Sequence, residues 1–435
     1  MKGLLIAAPS SGSGKTTLTL GFLRALKKRG LALAPAKAGP DYIDPAFHAA
    51  ASSQTCLNFD PWAMRPTFIE AAAAHHAAPD RLLVVEAMMG LFDGAADGRG
   101  SAADLAALLG LPVVLVVDCA RASHSVAALV SGFAGFRQDV RVVGVILNRV
   151  GSDRHEAMLR QALAGIAMPV LGVVRADPTL HLPERHLGLV QAGEHDGLQA
   201  FIERAAAVVE DGCDLDALLT LAGPGSEDAI HAPVSALPPL GQRIAIARDV
   251  AFAFSYAHVL SGWREAGAEL SFFSPLADEA PASDADAVYL PGGYPELHAG
   301  VLAAASTFRA GMLEAHRRGA RIFGECGGYM VLGDALIDAG YTVHPMLGLL
   351  PLVTSYAQRK RHLGYRRIRP VDDSVFAGPM TAHEFHYASI VSEGDADRLF
   401  VAEDALGTAL GAVGLRRGTV AGSFMHLIDV AETAP

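Results

Sequence analysis

At 435 residues and 51% hydrophobic content, the chain is too long for one ordinary domain and apolar enough to build two packed cores. Its 35 lysines and arginines against 46 acids leave a net charge of −11, which speaks against nonspecific attraction to nucleic acid or anionic lipid. The cysteines Cys56, Cys119, Cys213 and Cys326 form no CxxC pair. The opening MKGLLIAAPSSGSGKTT lacks the features of a signal peptide, and no run is long enough to cross a bilayer. A reduced, cytoplasmic protein with no membrane partner is therefore expected.

In chain order, GLLIAA is followed by TLTLGFLRALKKRG, RLLVVEA, SAADLAALLG, PVVLVVD, SVAALVSGFAGF and VVGVILN. Unbroken apolar runs separated by helix-like segments predict a parallel sheet covered on both faces, that is, a doubly wound α/β domain over residues 1–210. Between the first strand and first helix lies SSGSGKTT (10–17). Glycines there let the backbone wrap phosphate oxygens, and the helix N-terminus supplies positive potential. Gly12, Ser13, Gly14, Lys15, Thr16 and Thr17 are thus candidate nucleotide-binding residues, with Lys15 reaching the outer phosphates and the Thr16 hydroxyl suited to Mg²⁺. Pro9 stands where the usual leading glycine would be, so the loop is a variant of its class.

A carboxylate is expected beside that hydroxyl. Glu86 ends the strand RLLVVEA, at the edge of a parallel sheet where ligands bind. In KAGPDYIDP, two prolines stiffen a short turn bearing Asp41 and Asp44, either of which suits a metal or a substrate; which of these acids meets Mg²⁺ stays open. Asp93, in MMGLFDG, is a possible supporting acid. Asn148, at the end of VVGVILN, offers a donor and an acceptor for a purine edge. His75 and His76 are adjacent and cannot face one site on a helix, so no metal site is expected there.

Residues 211–242, rich in Gly, Pro, Ser and acids, read as a surface connection. A second α/β unit follows over 243–435, through RIAIARD, ELSFF, DAVYLPGG and RRGARIFGE. RIFGECGGYM sets Cys326 between a strand and a helix, where small neighbours allow a sharp elbow and the helix N-terminus favours a thiolate. Backbone N–H groups of Gly292 or Gly293, with that of Gly327, are candidate oxyanion donors. His426, in AGSFMHLID, is the candidate base for the thiol proton.

APSSGSGKTT, KAGPDYIDP, VVEAMMGLFDG and LNRV, in this order, resemble the dethiobiotin-synthetase-like branch of P-loop proteins. The resemblance implies activation of a carboxylate by transfer of the terminal phosphoryl group of ATP. Related septum-placement and plasmid-partition ATPases carry a further lysine near the position of Ser10; its absence here argues against a membrane-cycling switch. PGGYPE, GECGGYM and the MH pair at 425–426 resemble class I glutamine amidotransferases over 243–435. Many of those carry His-x-Glu, whereas Ile428 stands two residues after His426. A Cys–His dyad is therefore expected, Asp429 is not assigned as orienting acid, and the pattern matches the cobyrinate amidase subgroup.

Over its full length the chain is similar to the cobyrinic or hydrogenobyrinic acid a,c-diamide synthase family of vitamin B12 biosynthesis. The resemblance implies a carbon–nitrogen ligase that amidates the a and c acetates of a corrin ring through acyl phosphates, using ATP, L-glutamine and Mg²⁺. CLNFDPWAM (56–64), ADPTLHLPERHLGL (176–189), RHLGYR (361–366) and HEFHYAS (383–389) carry this similarity, and the last three are expected to line the macrocycle site. Asp44, Tyr42, Arg185 and His186 are candidate substrate contacts. The expected partner is a small tetrapyrrole rather than nucleic acid, and a homodimer is compatible with the resemblance. Alternatives are cobyric acid synthase, a nickel-tetrapyrrole enzyme, or a nucleotide switch with a noncatalytic tail. LPERHLGL favours the a,c enzyme over the first, and Cys326 with His426 opposes the last.

Overall fold

The computed structural model describes residues 1–78, 80–185, 188–223 and 237–431, with 184, 185, 188 and 189 described at the backbone alone. The chain forms two compact units, residues 1–62 with 66–234, and 63–65 with 235–435. Both are α/β.

In the first unit, strands β1 (Gly3–Ala7), β2 (Leu33–Ala38), β3 (Leu57–Phe59), β4 (Leu82–Glu86), β5 (Val113–Asp118), β6 (Val142–Val150) and β7 (Val170–Arg175) form one parallel sheet in the order β3-β2-β4-β1-β5-β6-β7. Every residue of β1, β2 and β4 is buried, as unalternating apolar runs require of strands covered on both faces. Helices α1 (Lys15–Lys28), α2 (Asp44–Ser52), α3 (Pro66–His76), α4 (Ala102–Leu109), α5 (Val126–Gly135) and α6 (Asp153–Ala164) connect the strands. A short ribbon, β8 (Glu184–Arg185) and β9 (Gly188–Leu189), precedes α7 (Leu198–Gly212). Helix α1 approaches α7 so closely that a Cβ on Gly21 would stand 2.4 Å from the Ala205 carbonyl oxygen.

One stretch departs from expectation. The connection expected from residue 211 begins instead as a helix, α8 (Leu215–Leu221), capped by Asp214, whose side chain accepts from the Ala217 amide at 2.9 Å. Leu215 and Leu218, one helical turn apart, are buried, and that burial outweighs the polar composition around them. Residues 224–236 of the same stretch lie outside the described residues.

The second unit contains β10 (Arg243–Ala247), α9 (Ala257–Glu265), β11 (Glu269–Phe273), β12 (Ala287–Leu290), α10 (Ala299–Ala304), α11 (Ser306–Arg317), β13 (Arg321–Glu325) and α12 (Gly327–Leu332). Then come β14 (Ala335–Ile337), β15 (Val343–Pro345), β16 (Leu352–Ser355), β17 (His362–Pro370), β18 (Met380–His386), β19 (Ser389–Glu393), β20 (Asp397–Asp404), β21 (Ala409–Arg417), β22 (Val420–Ser423) and β23 (Met425–Val430). Ten of these strands make a mixed sheet ordered β11-β10-β12-β13-β22-β21-β20-β17-β18-β23, parallel from β11 to β22 and antiparallel beyond. β14, β15, β16 and β19 form a smaller sheet.

Candidate active sites

In the first unit, β4 lies between β2 and β1. The parallel register sets Glu86 beside Ile6 on one side and Lys37 on the other. Strand ends, loop and first helix turn therefore meet at one edge of the sheet. Gly14 caps α1 with φ of 89°, and a Cβ there would stand 2.3 Å from Asn148 Nδ2. Asn148 Nδ2 donates to the Ser13 carbonyl at 2.8 Å, and its Oδ1 accepts from the Arg149 amide at 3.0 Å. The amide expected to read a purine thus braces the loop, keeping one Nδ2 hydrogen and one Oδ1 lone pair for other use. Helix α1 has no side-chain cap and no acid in its first turn, so its free N–H groups and positive end face the loop. Lys15 Nζ donates to the Ser10 carbonyl at 3.2 Å, and burial lowers its pKa. A cleft of about 400 Å³ opens here, lined by Gly12, Lys15, Thr16, Thr17, Lys37 and Met89 among others.

Thr16 Oγ1 donates to Glu86 Oε1 at 2.7 Å and lies 3.4 Å from Asp44 Oδ2. Lys37 Nζ donates to Asp44 Oδ2 at 2.6 Å and to Glu86 Oε1 at 2.8 Å, with Asp41 Oδ2 at 3.9 Å. His48 Nε2 meets Glu86 Oε2 at 2.6 Å. Burial raises the Glu86 pKa, but Lys37 and His48 outweigh it and hold the carboxyl well below its usual range. For Lys37 burial is likewise overcome, by Asp44, Glu86 and Asp41, and the ammonium persists. Burial and the neighbouring Asp41 push Asp44 above the usual carboxylate range. Asp41 Oδ1 accepts from the Ile43 and Asp44 amides at 2.8 and 3.0 Å, which fixes the turn that aims Asp44 inward. The hydroxyl and carboxylates of Thr16, Glu86 and Asp44 are hard oxygen donors of the kind Mg²⁺ takes.

Asp93 Oδ2 accepts from the Gly90 amide at 2.8 Å. Tyr42 is buried; Arg185 is described by its backbone alone, and His186 lies outside the described residues. Sequence reasoning missed Lys37 and His48. Lys37 carries the same signal that singled out Glu86, a charge at the end of a fully buried strand.

In the second unit, Cys326 follows β13 and caps α12 with φ 48° and ψ −104°, a conformation costly for any residue with a Cβ, of order 1–3 kcal/mol. Its neighbours hold it there. The Cys326 amide donates to the Ser423 carbonyl at 2.8 Å, and a Cβ on Gly328 would stand 1.9 Å from the Leu290 carbonyl oxygen. A Cβ on Gly292 would lie 2.4 Å from His426 Cε1 and 3.3 Å from Cys326 Cβ, so the candidate nucleophile and the candidate base flank this glycine. A Cβ on Gly327 would lie 3.1 Å from the Gly293 amide nitrogen, so these two candidate oxyanion donors are neighbours.

The helix N-terminus, expected to favour the thiolate, is opposed by burial. Burial, with Glu296 adding to it, pushes the Cys326 thiol well above its usual range, and the opposing Gly327 N–H is the lesser influence. A helix end is worth only about 0.3–1 kcal/mol where exposed. Burial lowers the His426 pKa to about 3, leaving a neutral imidazole able to accept a proton. An acid that the sequence reading passed over lies close by: Glu325 Oε2 is 3.8 Å from His426 Nδ1. Asp429 is engaged instead by Arg65, whose amide and Nε donate to Oδ2 at 2.9 and 3.0 Å.

The CobQ/CobB/MinD/ParA nucleotide binding domain family matches residues 4–190, and the CobB/CobQ-like glutamine amidotransferase domain family matches residues 243–433. The chain is 69% identical to the hydrogenobyrinate a,c-diamide synthase of a Sinorhizobium species, covering 100% of both chains. It is 69% identical to that of Rhizobium meliloti strain 1021, covering 99% of this chain and 100% of the relative. Against the enzyme of Brucella anthropi the identity is 64%, covering 99% of each.

Proposed function

The chain belongs to the hydrogenobyrinate a,c-diamide synthase family, and from that premise we propose that it amidates the a and c acetates of hydrogenobyrinic acid with ATP and glutamine. It is a glutamine-dependent amidotransferase ligase. One observation carries the mechanism: the chain holds a phosphate loop facing a lysine–carboxylate cluster, and separately a strained Cys326 flanked by His426.

In the first unit a substrate carboxylate oxygen attacks the terminal phosphorus of ATP, giving an acyl phosphate and ADP. Lys15 and Lys37 meet the charge on the transferring group, and the N–H groups of residues 12–17 orient the phosphates. Thr16, Glu86 and Asp44 would hold Mg²⁺, which would neutralise phosphate charge when bound. In the second unit Cys326 Sγ attacks the glutamine carboxamide carbon while His426 takes the thiol proton. The amides of Gly293 and Gly327 steady the oxyanion, and His426 returns the proton to departing ammonia. Water then releases glutamate from the thioester. Ammonia attacks the acyl carbon and expels inorganic phosphate, completing the amide.

Among the described residues no helix is long and apolar enough to cross a membrane. The name of the relatives supports a small tetrapyrrole as the partner.

Carboxyl-¹⁸O hydrogenobyrinic acid tests the scheme. Each amide formed should place one ¹⁸O in inorganic phosphate; unlabelled phosphate alongside full amidation would exclude the acyl phosphate.

A further inference from the structure

His48 takes no part in the scheme above, yet it is wholly buried and aimed at Glu86. It stands on helix α2 one turn beyond Asp44, so the two side chains lie on one face of that helix.

The two oxygens of Glu86 are divided between two sides. Oε1 accepts from Thr16 Oγ1 at 2.7 Å and from Lys37 Nζ at 2.8 Å, and so faces the phosphate loop. Oε2 meets His48 Nε2 at 2.6 Å. A carboxylate can only accept, so Nε2 carries the hydrogen of that contact. The other ring nitrogen, Nδ1, lies 3.5 Å from Cys56 Sγ, a thiol that burial keeps protonated. The ring is therefore engaged at both nitrogens. His48 and Glu86 are each wholly buried, and neither has solvent to turn toward.

We infer that His48 makes Glu86 a one-oxygen ligand and thereby selects Mg²⁺ over Ca²⁺ at the phosphate loop, an inference that rests on the Mg²⁺ site read above from Thr16, Glu86 and Asp44. Mg²⁺ is small and demands near-ideal octahedral geometry, which a carboxylate serves with a single oxygen. Ca²⁺ is larger, gathers more oxygens in flexible geometry and readily takes both oxygens of one carboxylate. With Oε2 committed to His48, that second mode would break a buried, charge-assisted hydrogen bond. Hydrogen bonds behind a ligating carboxylate orient it in just this manner.

The test follows binding rather than turnover. The full chain is titrated by calorimetry with a non-hydrolysable ATP analogue in excess Mg²⁺, in excess Ca²⁺ and in EDTA. Wild type should bind the Mg²⁺ complex more tightly than the Ca²⁺ complex. In His48→Leu, which removes the donor, that preference should fall ~10-fold or more, whereas His48→Gln, whose amide can donate in place of Nε2, should keep it. Circular dichroism verifies folding, and His48→Met replaces His48→Leu should that chain unfold. If wild type bound the Mg²⁺ complex no better than the analogue in EDTA, the Mg²⁺ site itself would be lost, and the inference with it. Equal binding of the two complexes by wild type, an undiminished preference in folded His48→Leu, or a preference lost as fully in His48→Gln would overturn the role of His48 alone.

Discussion

Glu325 ties three strands together: its Oε2 accepts from the Tyr289 hydroxyl at 2.7 Å and its Oε1 from the Leu427 amide at 3.1 Å. Burial raises its pKa to about 8, from 4.5 for the free group, and the two donors only partly oppose this. Between those values the folded chain holds a proton that the unfolded chain has lost, so the Glu325 contribution to stability falls as pH rises, by at most about 1.4 kcal/mol per pH unit. Above about pH 8 the carboxylate can favour the imidazolium that His426 becomes during attack. Glutaminase kcat/KM should therefore climb through that pH, and Glu325→Gln should lose both the climb and the stability slope. Glutamate release and thermal unfolding against pH measure this, and an unchanged inflection in the variant would remove Glu325 from the scheme. Legibility at this scale was uneven. Cys326, His426, Lys15 and Glu86 stood out by type and setting; Lys37 shares the setting of Glu86 but was passed over, and its pairing with Asp44 and Glu86, like that of Glu325 with Tyr289 and Leu427, appears only in the fold.

Elements decide how those residues meet. The turn from β13 into α12 stores backbone strain at Cys326 because Gly324 and Gly328 allow close packing that any side chain would block. The strand end at Gly292 is as restrictive. Its missing Cβ is the space beside His426, which is wholly buried and cannot retreat. Gly292→Ala should therefore cut glutamine-dependent amidation by about 100-fold or more, with ammonia-dependent amidation retained; the comparison of the two nitrogen sources reads it. Parallel strands in the first unit were visible as apolar runs. Helix α8 was not, since a seven-residue helix with two buried leucines gives too short a pattern to outweigh the Gly, Pro and acidic residues that follow.

For the whole molecule, two units with separate reacting groups predict separable losses. Cys326→Ala should stop amidation from glutamine yet keep it from ammonia, and Lys15→Ala should stop both. Product assays with each nitrogen source check this; a Cys326→Ala chain still using glutamine, or a Lys15→Ala chain at normal rate, would break the division of labour. By itself the sequence determined the fold class, the glycine-rich strand–loop–helix turn at 10–17, the sharp turn at Cys326 and the family, because strand burial, glycine-rich turns and motif spacing are local and written in consecutive residues. Only the tertiary structure decided which distant polar groups meet: Lys37 among three acids, Glu325 near His426, and His48 against Glu86. Strand order and register set those pairings, and neither is fixed by the residues of one segment alone.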